Sequence, residues 1–256
     1  MVAKTKEKNK EFLKMSRIPK VIHYCWFSGD KKPLLIKKCI KSWKRIMPDY
    51  EIKCWDANSF DFDSIPFVKQ AYQEKKWAFV SDYVRLYALY TEGGIYLDSD
   101  VKVFKRFDIF LHNCFFIGTE PLEGNRYELE SAIMGSVKGH PFVWECMQFY
   151  QKINFRRDDG EIYATCPMIM TNILVEYGYV KEDKMQYLQD DVIVYSRNYF
   201  GHCFGTQPGT LFAIHYFAGS WLDRNRGWLF YWCRNNDLFR LYSFVEVLGR
   251  KLKLAR

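Results

Sequence analysis

A glycine pair, a short apolar run and two carboxylates follow one another directly at Gly93-Gly94-Ile95-Tyr96-Leu97-Asp98-Ser99-Asp100. Glycines suit a tight turn, and an apolar run of this length bounded by turn signals reads as a buried strand. On an extended backbone side chains two apart share a face, so the spacing predicts that Asp98 and Asp100 project together from the strand's end. Two like charges so close repel each other. A divalent cation, or a network of substrate hydroxyls, between them would relieve that repulsion.

The segments around this strand indicate the architecture. Residues 18–27 read as a buried strand closed by the turn cluster Ser28-Gly29-Asp30, and residues 33–47 as a helix, since Leu34, Leu35, Cys39, Ile40 and Trp43 recur at helical spacing. A second strand is expected at 51–55, with helices around 66–76 and 78–91. On the latter, Asp82 and Arg85 are i,i+3 neighbours. Strand, helix, strand, helices, strand predicts an α/β fold whose central sheet is mostly parallel and flanked by helices. Ligands gather at the carboxyl ends of strands in such sheets, where Trp26 and the Asp98/Asp100 pair both fall. Further on, strands are expected near 115–118, 132–135, 192–195 and 210–216, and helices near 141–150 and 167–177, with a charged loop at 154–163.

Composition narrows the classes. The chain has 256 residues, 48% hydrophobic and 18% aromatic, which is enough for a sizeable core and excludes a disordered protein. Its eight cysteines form no Cys-x-x-Cys pair and no zinc spacing, so reduced thiols are expected. The Lys-rich start lacks the apolar run of a secretory signal, and no window is long enough for a membrane span, so the expectation is a cytoplasmic protein, at most peripheral on a membrane. The net charge of +8 is spread along the chain, with concentrations at both ends and around Lys31 to Arg45. That pattern suits anionic lipid or phosphorylated substrates as well as nucleic acid. The expected organisation is a basic leader at 1–17, a domain at 18–223 and a helical tail at 224–256. In the tail, Leu238, Leu241, Val245, Leu248 and Leu252 form an apolar stripe beside Arg240, Arg250, Lys251 and Lys253, which suits either a closing helix or one resting on anionic membrane.

Four segments carry a family resemblance, in order: Ile18-Pro19-Lys20-Val21-Ile22-His23-Tyr24-Cys25-Trp26, Phe79-Val80-Ser81-Asp82-Tyr83-Val84-Arg85, Gly93 to Asp100, and His215-Tyr216-Phe217-Ala218-Gly219-Ser220-Trp221. They resemble glycosyltransferase family 32, sugar-transferring enzymes with a GT-A fold and an Asp-x-Asp motif that include bacterial capsular and lipopolysaccharide transferases. The resemblance implies a metal-dependent retaining transferase. It would move a sugar from a nucleotide-sugar, UDP by default, to a glycan or lipid-linked glycan, with no role for nucleic acid. Asp100 would bind the metal, Asp98 would contact donor hydroxyls and the metal, and His215 would be a further ligand, tilting the choice toward Mn²⁺ over Mg²⁺. Trp26 would stack on the donor base, Asp82 and Arg85 would hold the donor sugar, and Ser220 and Trp221 would close over the diphosphate. Ser131 to Gly135 with Gly139-His140-Pro141 would frame the acceptor pocket.

No carboxylate stands out as a nucleophile, so front-face attack by the acceptor is expected, with Glu120, Glu123 and Glu130 as possible helpers. His23, set among apolar strand residues, reads as a core histidine. Two rival readings are a haloacid-dehalogenase-type phosphatase with Asp98 as nucleophile and a non-catalytic basic module on membrane or nucleic acid. The first lacks a downstream Gly-Asp-x-x-x-Asp motif, and the second leaves the carboxylates without a purpose.

Overall fold

A computed structural model describes residues 17–121, 127–202 and 211–217, together with 228, 229, 232, 233, 236 and 238. The strands are β1 (Val21–Cys25), β2 (Glu51–Trp55), β3 (Gly94–Leu97), β4 (Val101–Val103), β5 (Phe115–Pro121), β6 (Tyr127–Ser136), β7 (Gln186–Leu188), β8 (Val192–Tyr195), β9 (Phe200–His202) and β10 (Ala213–His215). The α-helices are α1 (Leu34–Ile46), α2 (Pro66–Gln73), α3 (Trp77–Glu92), α4 (Pro141–Gln151) and α5 (Cys166–Glu176). Seven strands form the central sheet in the order β2-β1-β3-β6-β5-β8-β7, and β4-β10-β9 form a small second sheet. β2, β1 and β3 are parallel, as the strand-helix-strand spacing requires. Beyond β3 the sheet is mixed: β6 is antiparallel to both β3 and β5, β5 is parallel to β8, and β7 is antiparallel to β8.

Alternation along the strands divides the core. Tyr96, Phe115, Ile117 and Met134 face helices α2 to α5, packing with Val68, Val80, Phe142 and Ile169. Ile95, Leu97, Phe116 and Ile133 face the other way, onto Trp43 of α1 and Val101 and Val103 of β4. α1 is also tied to β4 by polar bonds. The Trp43 indole donates to the Val101 carbonyl at 2.8 Å, and the Val103 N–H donates to Ser42 Oγ at 3.0 Å. The strand that follows the carboxylates is thus pinned from behind.

Three local devices shape the edge where β3 ends. Gly93 and Gly94 have φ of +71° and +112°, and an added Cβ would lie 2.8 Å from the Lys138 nitrogen or 2.7 Å from the Val21 carbonyl oxygen, so only glycine turns α3 into β3 here. The second device corrects the extended-strand expectation for Asp98 and Asp100. β3 ends at Leu97, and residues 98–101 form a reverse turn closed by the Val101 N–H on the Asp98 carbonyl at 2.9 Å. Third, β6 bulges: Ile117 faces Met134 but Gly118 faces Glu130, which leaves Ser131, Ala132 and Ile133 without partners on β5. The Ala132 carbonyl instead accepts the Asp98 N–H at 2.9 Å and anchors the turn.

All but the last residue of the leader at 1–17 and nearly all of the tail at 224–256 lie outside the described residues. The seven described cysteines are all free thiols.

Candidate active site

A cavity of about 640 Å³ opens where β1 and β3 end, bounded by Trp26, Asp82, Asp98, Asp100, Glu120 and His215 among others. Volumes of this order hold drug-sized and cofactor-sized ligands. Trp26, Asp82, Arg85, Asp98, Asp100 and His215, all singled out in the sequence, converge on this one space. Ser220, Trp221 and Glu123 lie outside the described residues.

Arg85 organises the cavity floor. It is 3% exposed, and its guanidinium lies over the Tyr96 ring at 4.8 Å. Its Nε donates to the Ser81 carbonyl at 3.0 Å and its Nη1 to the Ser131 carbonyl and hydroxyl, both at 2.9 Å. Its Nη2 meets Ser81 Oγ at 3.1 Å, Asp82 Oδ1 at 3.0 Å and Asp98 Oδ1 at 3.4 Å. Ser81 and Ser131 thus take four of the five donors of the fork, and the Asp82 and Asp98 carboxylates pair with its charge. Asp82 also accepts the Cys166 N–H at the start of α5, at 3.2 Å. Burial pushes its carboxyl up to about 6, with Asp98 adding repulsion and Arg85 opposing both. Asp98 Oδ1 further accepts from the Tyr96 hydroxyl at 2.9 Å. That oxygen faces Tyr96 and Arg85, while Oδ2 faces His215.

Asp100 turns instead toward His215. The His215 Nε2 lies 3.3 Å from Asp100 Oδ1 and 3.9 Å from Asp98 Oδ2, while its Nδ1 lies 3.0 Å from Glu130 Oε1. Burial disfavours an imidazolium here, but Asp100 and Glu130 outweigh it and hold the ring's pKa well above the ordinary histidine value. Ligating atoms of Asp98, Asp100 and His215 lie within 4.8 Å of one another. Two carboxylates and one imidazole suit Mg²⁺ or Mn²⁺, so these residues fit the metal that the family resemblance implies.

The wall next to His215 is acidic. Glu120 and Glu128 are cross-strand partners on β5 and β6, and both line the cavity with Glu130. Burial, then Glu130, pushes the Glu120 carboxyl above the usual carboxylate range, while His215 opposes the rise.

At the other end, the Trp26 indole N–H donates to the Asp30 carbonyl at 2.8 Å, which fixes the ring against the cavity, and Lys32 Nζ sits 5.1 Å from its centre. His23 is a core histidine, as its apolar setting predicts. Its Nδ1 accepts from the Trp55 indole at 3.1 Å, so its Nε2 carries the proton donated to the Gly93 carbonyl at 2.8 Å. Burial lowers its pKa. Ser131 and Ala132 reach the cavity, whereas His140 caps α4, with Nδ1 accepting from the Phe142 N–H at 3.2 Å. Ser81 and Tyr96 lie inside the motif segments but had no role assigned to them there, and the partnership of Glu130 with His215 had no motif to mark it.

A helix-flanked α/β sheet with an Asp-x-Asp turn and a histidine at its carboxyl edge is the arrangement that the family resemblance implies, and the chain's relatives are glycosyltransferases. The chain belongs to the capsular polysaccharide synthesis protein family, whose profile matches residues 1–212. It is 25% identical over 257 residues to inositol phosphoceramide mannosyltransferase 3 of Schizosaccharomyces pombe, covering 93% of this chain and 67% of that protein. It is 30% identical over 149 residues to mannosyl phosphorylinositol ceramide synthase CSH1 of Saccharomyces cerevisiae, covering 53% of this chain but 36% of that protein. Among solved structures it is similar to a glycosyltransferase involved in glycosylating the major capsid of PBCV-1, with a TM-score of 0.48, 13% identity, and 76% and 92% of the two chains covered. It is also similar to PaToxG glycosyltransferase, with a TM-score of 0.45, 20% identity, and 67% and 76% covered.

Proposed function

We propose that this chain transfers a sugar, with retention of configuration, from a UDP-sugar to a hydroxyl of a glycan or lipid-linked glycan during surface polysaccharide synthesis. The observation that carries the reading is the convergence of Asp98, Asp100 and His215 on one cavity with Trp26 at its rim. Trp26 offers a ring face to the donor base. Asp82 and Asp98, held by Arg85, accept hydrogen bonds from donor-sugar hydroxyls. Asp98, Asp100 and His215 would hold Mn²⁺, which supplies Lewis-acid neutralisation of the charge growing on the departing diphosphate. Front-face attack, with the leaving phosphate taking the acceptor proton, is favoured because burial disfavours a charged Glu120 and Glu130 is bonded to His215.

The test is a panel of nucleotide-sugars scored by thermal shift and by transfer or hydrolysis. One donor should raise the melting temperature with Mn²⁺ present, and EDTA should abolish turnover until Mn²⁺ is restored. Full turnover in excess EDTA would sink the metal reading. In the same panel, Trp26→Ala should weaken nucleoside diphosphate binding by about 10- to 100-fold, since base stacking is worth about 1–3 kcal/mol. Unchanged affinity would return Trp26 to the core.

We further propose that the enzyme works in the cytoplasm, peripherally bound to an anionic membrane that carries its acceptor. No helix among the described residues is long and apolar enough to cross a membrane. Lys37, Lys41, Lys44 and Arg45 are exposed on α1, next to a cavity that its Ile36 helps to line, and the stretch 31–47 contains no acidic residue. Trp228 and Trp232 are 76% and 48% exposed. At about 1 kcal/mol per cation near an anionic surface, reversing Lys37, Lys41 and Lys44 to Glu should reduce binding to phosphatidylserine-containing vesicles at least 100-fold. Cosedimentation measures it. Binding indifferent to lipid charge, or unchanged in the triple variant, would remove α1 from any membrane contact.

A further inference from the structure

We infer that Glu130 is a positioning residue that fixes the ring orientation and tautomer of His215 for metal binding. The inference rests on the metal reading of Asp98, Asp100 and His215 and adds to it a residue that touches neither metal nor donor.

The geometry is two-sided. Nε2 of His215 faces Asp100 at 3.3 Å, while Nδ1, on the far side of the ring, faces Glu130 at 3.0 Å. An imidazole that gives its Nε2 lone pair to a metal must carry its proton on Nδ1, and an acceptor there selects that tautomer and strengthens the donor nitrogen. Glu130 supplies that acceptor. The Phe217 ring lies 3.9 Å from the imidazole centre, tilted by 36°, and limits rotation from the side.

Glu130 is also a costly residue for its location. It is 2% exposed on β6, and a buried carboxylate is retained only where it is paired and hydrogen-bonded. The β6 bulge aims it. The slip that brings Glu130 opposite Gly118 is the one that frees Ser131 to hold Arg85 and Ala132 to anchor Asp98. One irregularity thus sets Asp98 through Arg85 and the turn, and His215 through Glu130.

The test compares wild type, Glu130→Gln and Glu130→Asp as full chains. Mn²⁺ affinity is read by calorimetry. Ring ¹⁵N NMR of the Mg²⁺-loaded protein reads the His215 tautomer. Glutamine keeps the shape and an accepting oxygen but not the charge, whereas aspartate keeps the charge but draws it back from Nδ1. Both should bind Mn²⁺ 10- to 100-fold more weakly than wild type, the effect usual for residues that orient metal-ligating histidines. The wild-type ring should show a single Nδ1-protonated tautomer that becomes mixed in the variants. A purely structural Glu130 would shift melting temperature and leave Mn²⁺ affinity and tautomer unchanged, which would overturn the inference. If Glu130→Gln fails to fold, Glu130→Asp carries the comparison. Wild type that binds no Mn²⁺ would overturn the metal reading itself, and the inference with it.

Discussion

Asp100→Asn will reduce sugar transfer by on the order of 10²–10³-fold or more while the protein remains folded. The amide has nearly the shape of the carboxylate, and the backbone bond at this position, from the Tyr216 N–H to the Asp100 carbonyl at 3.3 Å, does not involve the side chain. The charge is what disappears. Removing one preorganised stabiliser of transition-state charge from a water-poor site costs about 2.7–4 kcal/mol in well-defined cases. Asp100 is 8% exposed, and its Oδ1 lies 3.3 Å from His215 Nε2. Turnover in saturating donor and Mn²⁺, beside circular dichroism and a Mn²⁺ titration, checks it. Activity within tenfold of wild type would mean that Asp100 is not part of the reacting centre.

Arg85→Met will have the largest effect on stability. The substitution fills similar volume but leaves Asp82, 7% exposed, and Asp98 close together without the cation that now separates them. It also strands the Ser131 carbonyl and hydroxyl that accept from Nη1. Breaking a buried charge pair by removing one partner costs about 3–5 kcal/mol, because the remaining charge stays buried without compensation. Urea denaturation should show a loss of that size, and a second change, Asp82→Asn, should recover part of it, the coupling expected of groups in one network. A loss under about 1 kcal/mol would mean that water reaches the network and that Arg85 is dispensable to the fold.

The two predictions draw on features that were unequally visible in the sequence. Asp82 and Arg85 stand three apart on a helix, and i,i+3 spacing alone was enough to pair them. Their third partner, Ser131, lies 46 residues beyond Arg85 on a strand of another part of the sheet, so nothing local to either residue announces the contact. Asp100 was marked by the Asp-x-Asp spacing, yet the expected shared face came from assuming an extended backbone. The turn at 98–101 gives Asp98 the partners Arg85 and Tyr96 and brings Asp100 nearer His215, at 3.3 Å against 3.9 Å for Asp98.

By itself the sequence determined the succession of elements from β1 to β3, the class of fold, and the residues of the Asp-x-Asp, Trp26 and His215 segments. Those signals are local, because hydrophobic periodicity and turn chemistry act over a few residues. Tertiary structure alone decided the mixed half of the sheet and the three-residue strands β4, β7 and β9, which are too short to show a period of two. It also decided the β6 bulge and the meeting of Glu130 with His215 across 85 positions. Such contacts depend on how the strands pair and where their register slips, and register is a property of two segments together, set by packing against a common core and written in neither one.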